Sequence, residues 1–291
     1  MCVDSDSSSP TVTHFIPYGN AVTGVTSLGD DVFVAFSLQQ QIEVYDAKTF
    51  TLQRYITVPG LGFSSGGLAA CPHNNCLYAS DCDIHRVELS GGNADYAVMK
   101  WSMTRSPQGL SVNSEHNLLV VCFKRRAPKL QIFTTHGKRL QKIPLQADIE
   151  RPRHAVQLPS GQFLVSHHGS LHRVCLVGVD GAVVRSYGGQ RGSQLTQMNV
   201  PAGLSVDREG RVLVADGRNN RLLVIDQSLS SAHEMSVCVD EGQRYTVGGA
   251  GLNRPLSLWY DQSRRRLYIG ESGGGRVIVI DNLKDFSTCR I

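Results

Sequence analysis

The sequence predicts an all-β fold: a six-bladed β-propeller of four-stranded blades, with the ring closed by the N-terminal strand. Three observations carry that prediction. Six times along the 291 residues a short apolar strand ends at a tight loop and restarts, usually on a basic residue. A Pro-x-Gly-like heptapeptide recurs in phase with it. No segment carries the apolar period of a helix, which a TIM barrel or Rossmann fold would need between strands. A repeated unit that cannot bury its own faces must stack on its neighbours, so the repetition decides the architecture.

The strand–loop–strand signal is clearest in Arg211-Val-Leu-Val-Ala-Asp216, Gly217-Arg-Asn-Asn220 and Arg221-Leu-Leu-Val-Ile225. Leu77 to Asp81 restarts at Arg86, and Leu267 to Glu271 restarts at Arg276. Looser copies lead from Val34–Phe36 to Gln41, from Leu164–His167 to Arg173, and from Val120–Cys122 to Lys129. The heptapeptides Pro107–Asn113 and Pro201–Asp207 are nearly identical. Pro152–Leu158 and Pro255–Asp261 share their frame, and Gly24 and Gly67 open weaker versions. Blades are therefore expected to start near residues 21, 65, 106, 151, 200 and 254, at the spacing of about 40 to 55 residues that suits four strands. Within each unit the first strand ends at a turn such as Asp207–Gly210 or Pro159–Gly161. The second strand runs into the tight loop, the third follows it, and the fourth reaches the next marker. Ile42–Asp46 and Arg86–Leu89 alternate, while the central strands are apolar throughout, as sheets packed on both faces require.

The sixth unit is short of a strand. Thr11–Ile16 precedes the first unit without a partner, so it is expected to complete the sixth blade, with Phe286–Ile291 as its rival. An open ring would leave two apolar sheet faces in water. Residues 1–10 read as a disordered tail, acidic and rich in serine, and 11–291 as the propeller.

Composition sets bounds. The chain is 41% hydrophobic with a formal net charge of +4, which is too weak, averaged over the surface, to imply nucleic acid. Eight cysteines (Cys2, Cys71, Cys76, Cys82, Cys122, Cys175, Cys238 and Cys289) are scattered, several within strands, which suits free thiols better than a disulfide framework. No secretory signal or membrane-spanning run is apparent. A cytoplasmic, monomeric propeller without membrane association is the expectation.

Taken together, these residues resemble the NHL-repeat six-bladed β-propeller. The fifth unit matches the family pattern through Pro201, Gly203, Asp207, Gly210, Asp216, Asn219, Asn220 and Arg221; the second matches at Asp81 with Arg86, and the sixth at Glu271 with Arg276. The first, third and fourth units have lost the acid, and His167 stands in its place in the fourth. The resemblance, to the C-terminal NHL domain of tripartite-motif ubiquitin ligases, implies a binding platform that serves substrate recognition in ubiquitination. The chain carries no RING or B-box cysteine–histidine array, so such a role would need a partner or a longer parent chain.

Three candidate sites follow. In a propeller the loops between second and third strands, and those leading into each blade, share one rim. Here that rim is expected to bind a partner through Arg105, Phe123, Lys124, Arg125, Arg126, Lys129, Arg151, Arg153, His168 and Arg218. Phe123 and the imidazoles of His167, His168 and His172 suit stacking on unpaired bases, so single-stranded RNA is the alternative to a protein partner. Arg264–Arg266 falls on the opposite rim. Cys71, Cys76, Cys82 and His85 have zinc-ligand chemistry, but a strand separates the pairs by roughly 15 Å or more, so no metal or other cofactor is expected. His154, His167 and His168 approach the channel mouth, where a six-bladed relative, the peptidylglycine amidating lyase, holds zinc with histidines from several blades. Gln108 and Ala202 occupy the equivalent openings here. A metal-dependent lyase or hydrolase is thus the outside reading, and the chain is expected not to be an enzyme. Asp81, Arg86, Asp216, Arg221, Glu271 and Arg276 recur in one frame and are expected to be scaffold.

Overall fold

The computed structural model describes residues 11–14, 20–62, 67–89, 98–103, 106–123, 127–239, 243–246 and 251–283. The expected tail at 1–10, the rival strand Phe286–Ile291, and Arg105 and Lys124–Arg126 lie outside the described residues.

Six four-stranded antiparallel sheets form the ring. Blade 1 comprises Val22–Leu28, Asp31–Phe36, Gln41–Asp46 and Leu52–Thr57. Blade 2 comprises Leu68–Cys71, Cys76–Ser80, Ile84–Glu88 and Val98–Trp101. Ser106–Val112, Leu118–Phe123, Lys129–Phe133 and Arg139–Pro144 make blade 3. Pro152–Gln157, Phe163–His167, His172–Val177 and Val183–Gly189 make blade 4. Blade 5 is Pro201–Val206, Val212–Asp216, Arg221–Ile225 and the short Ala232–Glu234. Blade 6 takes Pro255–Asp261, Arg266–Glu271 and Val277–Asp281 from the C-terminal end. Its fourth strand is Thr11–His14, paired from Thr11↔Asp281 to His14↔Ile278. The N-terminal strand therefore closes the ring.

Among the described residues the one helical element is a 3-10 turn at Gly217–Asn219. No helix of the described residues is long and apolar enough to cross a membrane. An extra hairpin, Ser236–Val239 with Gln243–Thr246, lies between blades 5 and 6 and explains the longest interval between markers. The sequence pattern does not announce it.

The apolar second strands follow from the packing. Buried side chains fall into clusters that each span two adjacent blades. Val212 and Val214 face blade 4 with Leu164 and Val174, whereas Leu213 and Ala215 face blade 6 with Leu267 and Ile269. Successive residues of one strand thus enter different interfaces, and neither face tolerates a polar side chain.

The recurring marker has its own physical meaning. Just after each marker proline the ladder between first and second strands slips by a residue, at Pro107/Gly109, Pro152/His154, Pro201/Leu204 and Pro255/Ser257. Such a bulge bends and twists the strand, which tightens the inner circle. There the backbones nearly touch: a Cβ on Gly109 would lie 2.4 Å from the Arg153 carbonyl oxygen, and one on Gly203 would lie 2.8 Å from that of Leu256. Polar side chains stitch neighbouring inner strands together. Ser111 Oγ donates to the Ala155 carbonyl at 2.8 Å, and Val25 N–H donates to Ser257 Oγ at 3.1 Å. In blade 4 His154 replaces the glycine and joins three blades. Its Nδ1 accepts the Leu204 N–H at 3.3 Å, so Nε2 carries the proton and donates to the Leu110 carbonyl at 3.0 Å.

Gly109→Ala is expected to lower unfolding free energy by about 1–3 kcal/mol, because the new methyl meets backbone that cannot yield. Gly62→Ala, whose Cβ would meet nothing within 4 Å, should stay within about 0.5 kcal/mol of wild type. Urea midpoints of the two variants check the difference.

Candidate binding site on the upper rim

The rim that carries the loops leading into the blades is held by carboxylate–arginine braces. Asp216, fully buried at the end of its strand, accepts the Asn199 N–H at 2.6 Å, Asn219 Nδ2 at 2.7 Å and Arg221 Nε at 2.9 Å. Arg221 then donates to the carbonyls of Ser193, Gln194 and Gln197. Blade 6 repeats the arrangement: Glu271 accepts the Asn253 N–H and Arg276 Nε, both at 2.6 Å, and Arg276 reaches the Gly251 carbonyl. The acids therefore clamp the loop that leads into their own blade, rather than mainly the tight loop beside them. In blade 4 the acid's place is held by His167, whose Nε2 accepts from Arg173 Nε at 2.9 Å, while Asp148 supplies the negative charge.

Blade 2 departs from the expected pairing. Asp81 accepts the N–H groups of Gly62 and Asp83 at 3.1 and 2.8 Å and contacts His85 Nε2 at 3.3 Å. Arg86 does not reach it. Ser80 already pairs with Ile84, so Arg86 is the third residue of its strand and meets Glu88 at 2.5 Å instead.

Between these braces two concavities open on the rim. One, of about 440 Å³, is lined by Glu150, Arg151, Arg153, His168, Gly169, His172, Arg191, Val200 and Arg218. The other, of about 770 Å³, is lined by Phe123, Arg151, Arg153 and His168 together with Gln108, Ile149 and Glu150. Arg153 stands at their junction because it is the residue left out of the ladder by the blade 4 bulge. The equivalent Thr23, Gln108, Ala202 and Leu256 line the central channel, as does Arg153 itself. Burial holds the Arg153 guanidinium below its usual range, and neither it, Arg151 nor Arg218 has a side-chain partner among the described residues.

The histidines register the field of these cations. His168 is pushed down to about 4, first by burial and then by Arg153, His172, Arg151 and Arg218. His167 is likewise pushed down to about 4, by burial and then Arg173. His172 is lowered by burial and Arg191, and its Nδ1 accepts the Val200 N–H at 2.9 Å. Near neutral pH all three are uncharged, so the positive potential here comes from guanidinium alone.

Of the expected partner-binding residues, the structure thus gathers Phe123, Arg151, Arg153, His168 and Arg218. Lys129 is corrected: it begins a strand, paired with Cys122 and Pro144, and is 6% exposed, so it does not face the rim. Arg191 joins the site without having been singled out, and His172, expected there only as a base-stacking imidazole, lines it as well. Arg264 and Arg266 are engaged elsewhere, with Asp30 and Asp281. Cys71 and Cys76 oppose each other at one end of a hairpin, while His85 faces Asp81 at the other. No group of three potential metal ligands forms among the described residues.

Residues 198–225 match the sequence model of the NHL repeat. That stretch is the blade 5 unit containing the Asp216–Arg221 brace. Repeat and ring together define the class: the chain is a six-bladed β-propeller with an NHL repeat in its fifth blade. Over 145 residues, 48% of this chain, it is 25% identical to Protein brain tumor of Drosophila melanogaster, and the match spans 13% of that protein's length. Its fold is also similar to that of a putative oxidoreductase (glucose dehydrogenase) of Thermus thermophilus, with a TM-score of 0.66 and 15% identity. That match covers 94% of this chain and all of the other. An inactivated virginiamycin B lyase from Staphylococcus aureus gives a TM-score of 0.64 at 9% identity, over 94% and 99% of the two chains. These last two likenesses show the fold alone. They nevertheless correct the expectation that the chain is no enzyme, because rings of this form include a lyase and a putative dehydrogenase. The propeller fold gives no ground for excluding catalysis.

Two outcomes test this description. Imidazoles titrate near 6.5 when unfolded but near 4 at His167 and His168, so the unfolded chain takes up protons first. Stability should therefore fall as pH drops from about 6.5 to about 4, which chemical denaturation across that range would read. Asp216→Ala, by leaving Arg221 and the Asn199 amide unpaired, should cost about 3–5 kcal/mol, measured by the same method.

Proposed function

We propose that the propeller is a recognition platform that docks an acidic segment of a partner protein on its cationic upper rim. The observation that carries this reading is the group of guanidinium ions at Arg151, Arg153 and Arg218. They converge on shared concavities whose one carboxylate among the described residues, Glu150, is hydrogen-bonded to Ser170 and is outnumbered by the guanidinium ions. Charges left unpaired at a concave surface favour an anionic partner by steering and by complementarity. The braces beneath hold the loops in place, so little order need be gained on binding. By family resemblance, the setting is substrate recognition for ubiquitination. A cytoplasmic location suits the free thiols of Cys71, Cys76, Cys122 and Cys175.

A second reading, single-stranded RNA, is favoured by the larger concavity. There Phe123 and the uncharged His168 ring accompany Arg151 and Arg153, a combination that suits a base beside its phosphate.

Selection of random peptides and of a random single-stranded RNA pool, each at two salt concentrations, separates the readings. Protein docking predicts enrichment of Asp- and Glu-rich peptides, reduced at least about tenfold in Arg151→Glu/Arg218→Glu. The thermal midpoint should stay nearly unchanged, since exposed charges contribute little stability. Undiminished enrichment by that folded variant would remove the rim from the reading. A short RNA motif whose affinity falls steeply with salt would put RNA first.

A further inference from the structure

We propose that the concavity between blades 4 and 5 is a phosphate-monoester site, and that the docked segment carries a phosphorylated serine or threonine there. The inference rests on the docking reading above and names what that site recognises.

Four arginines reach this one cavity of about 440 Å³ from three pieces of chain. Arg151 ends the loop leading into blade 4, and Arg153 occupies the bulge two residues later. Arg191 belongs to the loop leading into blade 5, and Arg218 to the 3-10 turn. Arg191 Nε is engaged only with the neutral Asn199 side chain, at 3.1 Å. The other three have no side-chain partner among the described residues. The largely buried arginines of the same two blades, Arg173, Arg211 and Arg221, are instead matched to Asp148, Asp207 and Asp216. The cavity is thus a local cluster of cations without such matching.

Glu150, the one acid among the described lining residues, couples to Arg151 but does not cancel four guanidinium charges. Glu150 is turned to Ser170, accepting from Oγ at 2.9 Å and from N–H at 3.1 Å. The wall also holds a buried polar atom without a partner, His168 Nδ1. The frame is set in advance, because Val200 N–H is tied to His172 Nδ1 and the Arg218 N–H donates to the Asn199 carbonyl at 2.9 Å.

The choice of ligand follows from counting charges and acceptors. A carboxylate offers one charge and two oxygens, which a single guanidinium fork can satisfy. A phosphate monoester brings about −1.5 to −2 charge and three acceptor oxygens, and so can engage several forks at once. A nucleic-acid strand carries one charge per phosphate, spaced along its length, and calls for a track of cations. Here four cations are gathered at one point, and among the described residues the neighbouring cavity adds no arginine beyond the shared Arg151 and Arg153.

The test uses three fluorescent degenerate peptide pools that differ only in a fixed central serine, phosphoserine or glutamate. Anisotropy titrations compare the wild-type chain, Arg151→Ala/Arg218→Ala, and Arg185→Ala, an exposed arginine on the outer strand of blade 4. The phosphoserine pool should bind on the order of tenfold more tightly than the serine pool, and that preference should vanish in the double variant and persist in Arg185→Ala. Inorganic phosphate should compete with it. Equal binding of the glutamate and phosphoserine pools would overturn the phosphate assignment and leave acidic docking standing. No binding of any pool would overturn both. A phosphoserine preference retained by the double variant would also overturn the site. If inorganic phosphate bound as tightly as the phosphoserine pool, the site would be one for the free anion, and the partner-segment proposal would fall.

Discussion

Everything in this propeller depends on how closely the six inner strands approach one another. At the marker the ladder slips, the strand bends, and a glycine or a short side chain lets the next blade's backbone come into contact. Without that approach the blades would stand too far apart for Val212 and Leu213 to reach two different neighbours. In five of the six blades the same bulge turns a residue towards the axis. In most blades that residue is small, neutral or apolar; in blade 4 it is arginine. A packing rule common to the ring therefore places a guanidinium where the channel meets the rim.

The braces convert this packed ring into a presented surface. Loops leading into blades are long and polar, and left to themselves they would sample many conformations. Asp216 with Arg221, and Glu271 with Arg276, consume the backbone donors and acceptors of those loops and fix them. Blade 4 achieves a comparable result with an uncharged histidine, an arginine and an aspartate from the lead-in loop. Stability at the strand ends and geometry at the rim are thus one set of hydrogen bonds, and changing one changes the other.

Much of this was legible because it repeats. Strand order, blade starts and the closing strand follow from periodicity and from the missing fourth strand of the last unit. The acid–arginine spacing was legible at Asp216 and Glu271, where a four-residue loop brings both to the strand ends. At Asp81 the spacing misled, because the loop is tighter and Arg86 falls inside the strand. Lys129 misled for a related reason: a basic residue beside a loop looks exposed, but strand pairing on both sides buries it. Arg191 carried no signal, since it lies ten residues before its marker proline and only the folded lead-in loop returns it to the site. The hairpin at Ser236–Thr246 showed only as an overlong interval.

The closing strand has a mechanical consequence. Thr11 pairs with Asp281, so the outward-leading ends of both strands lie at the same end of one antiparallel ladder. Tension applied through the two ends of the propeller enters at that pair and loads the hydrogen bonds one after another, as a zipper, rather than all together in shear. Held between two tethers, the ring would part at blade 6 while the remaining five sheets, each made from continuous chain, stayed whole. The seam that completes the circle is also the place where force would open it.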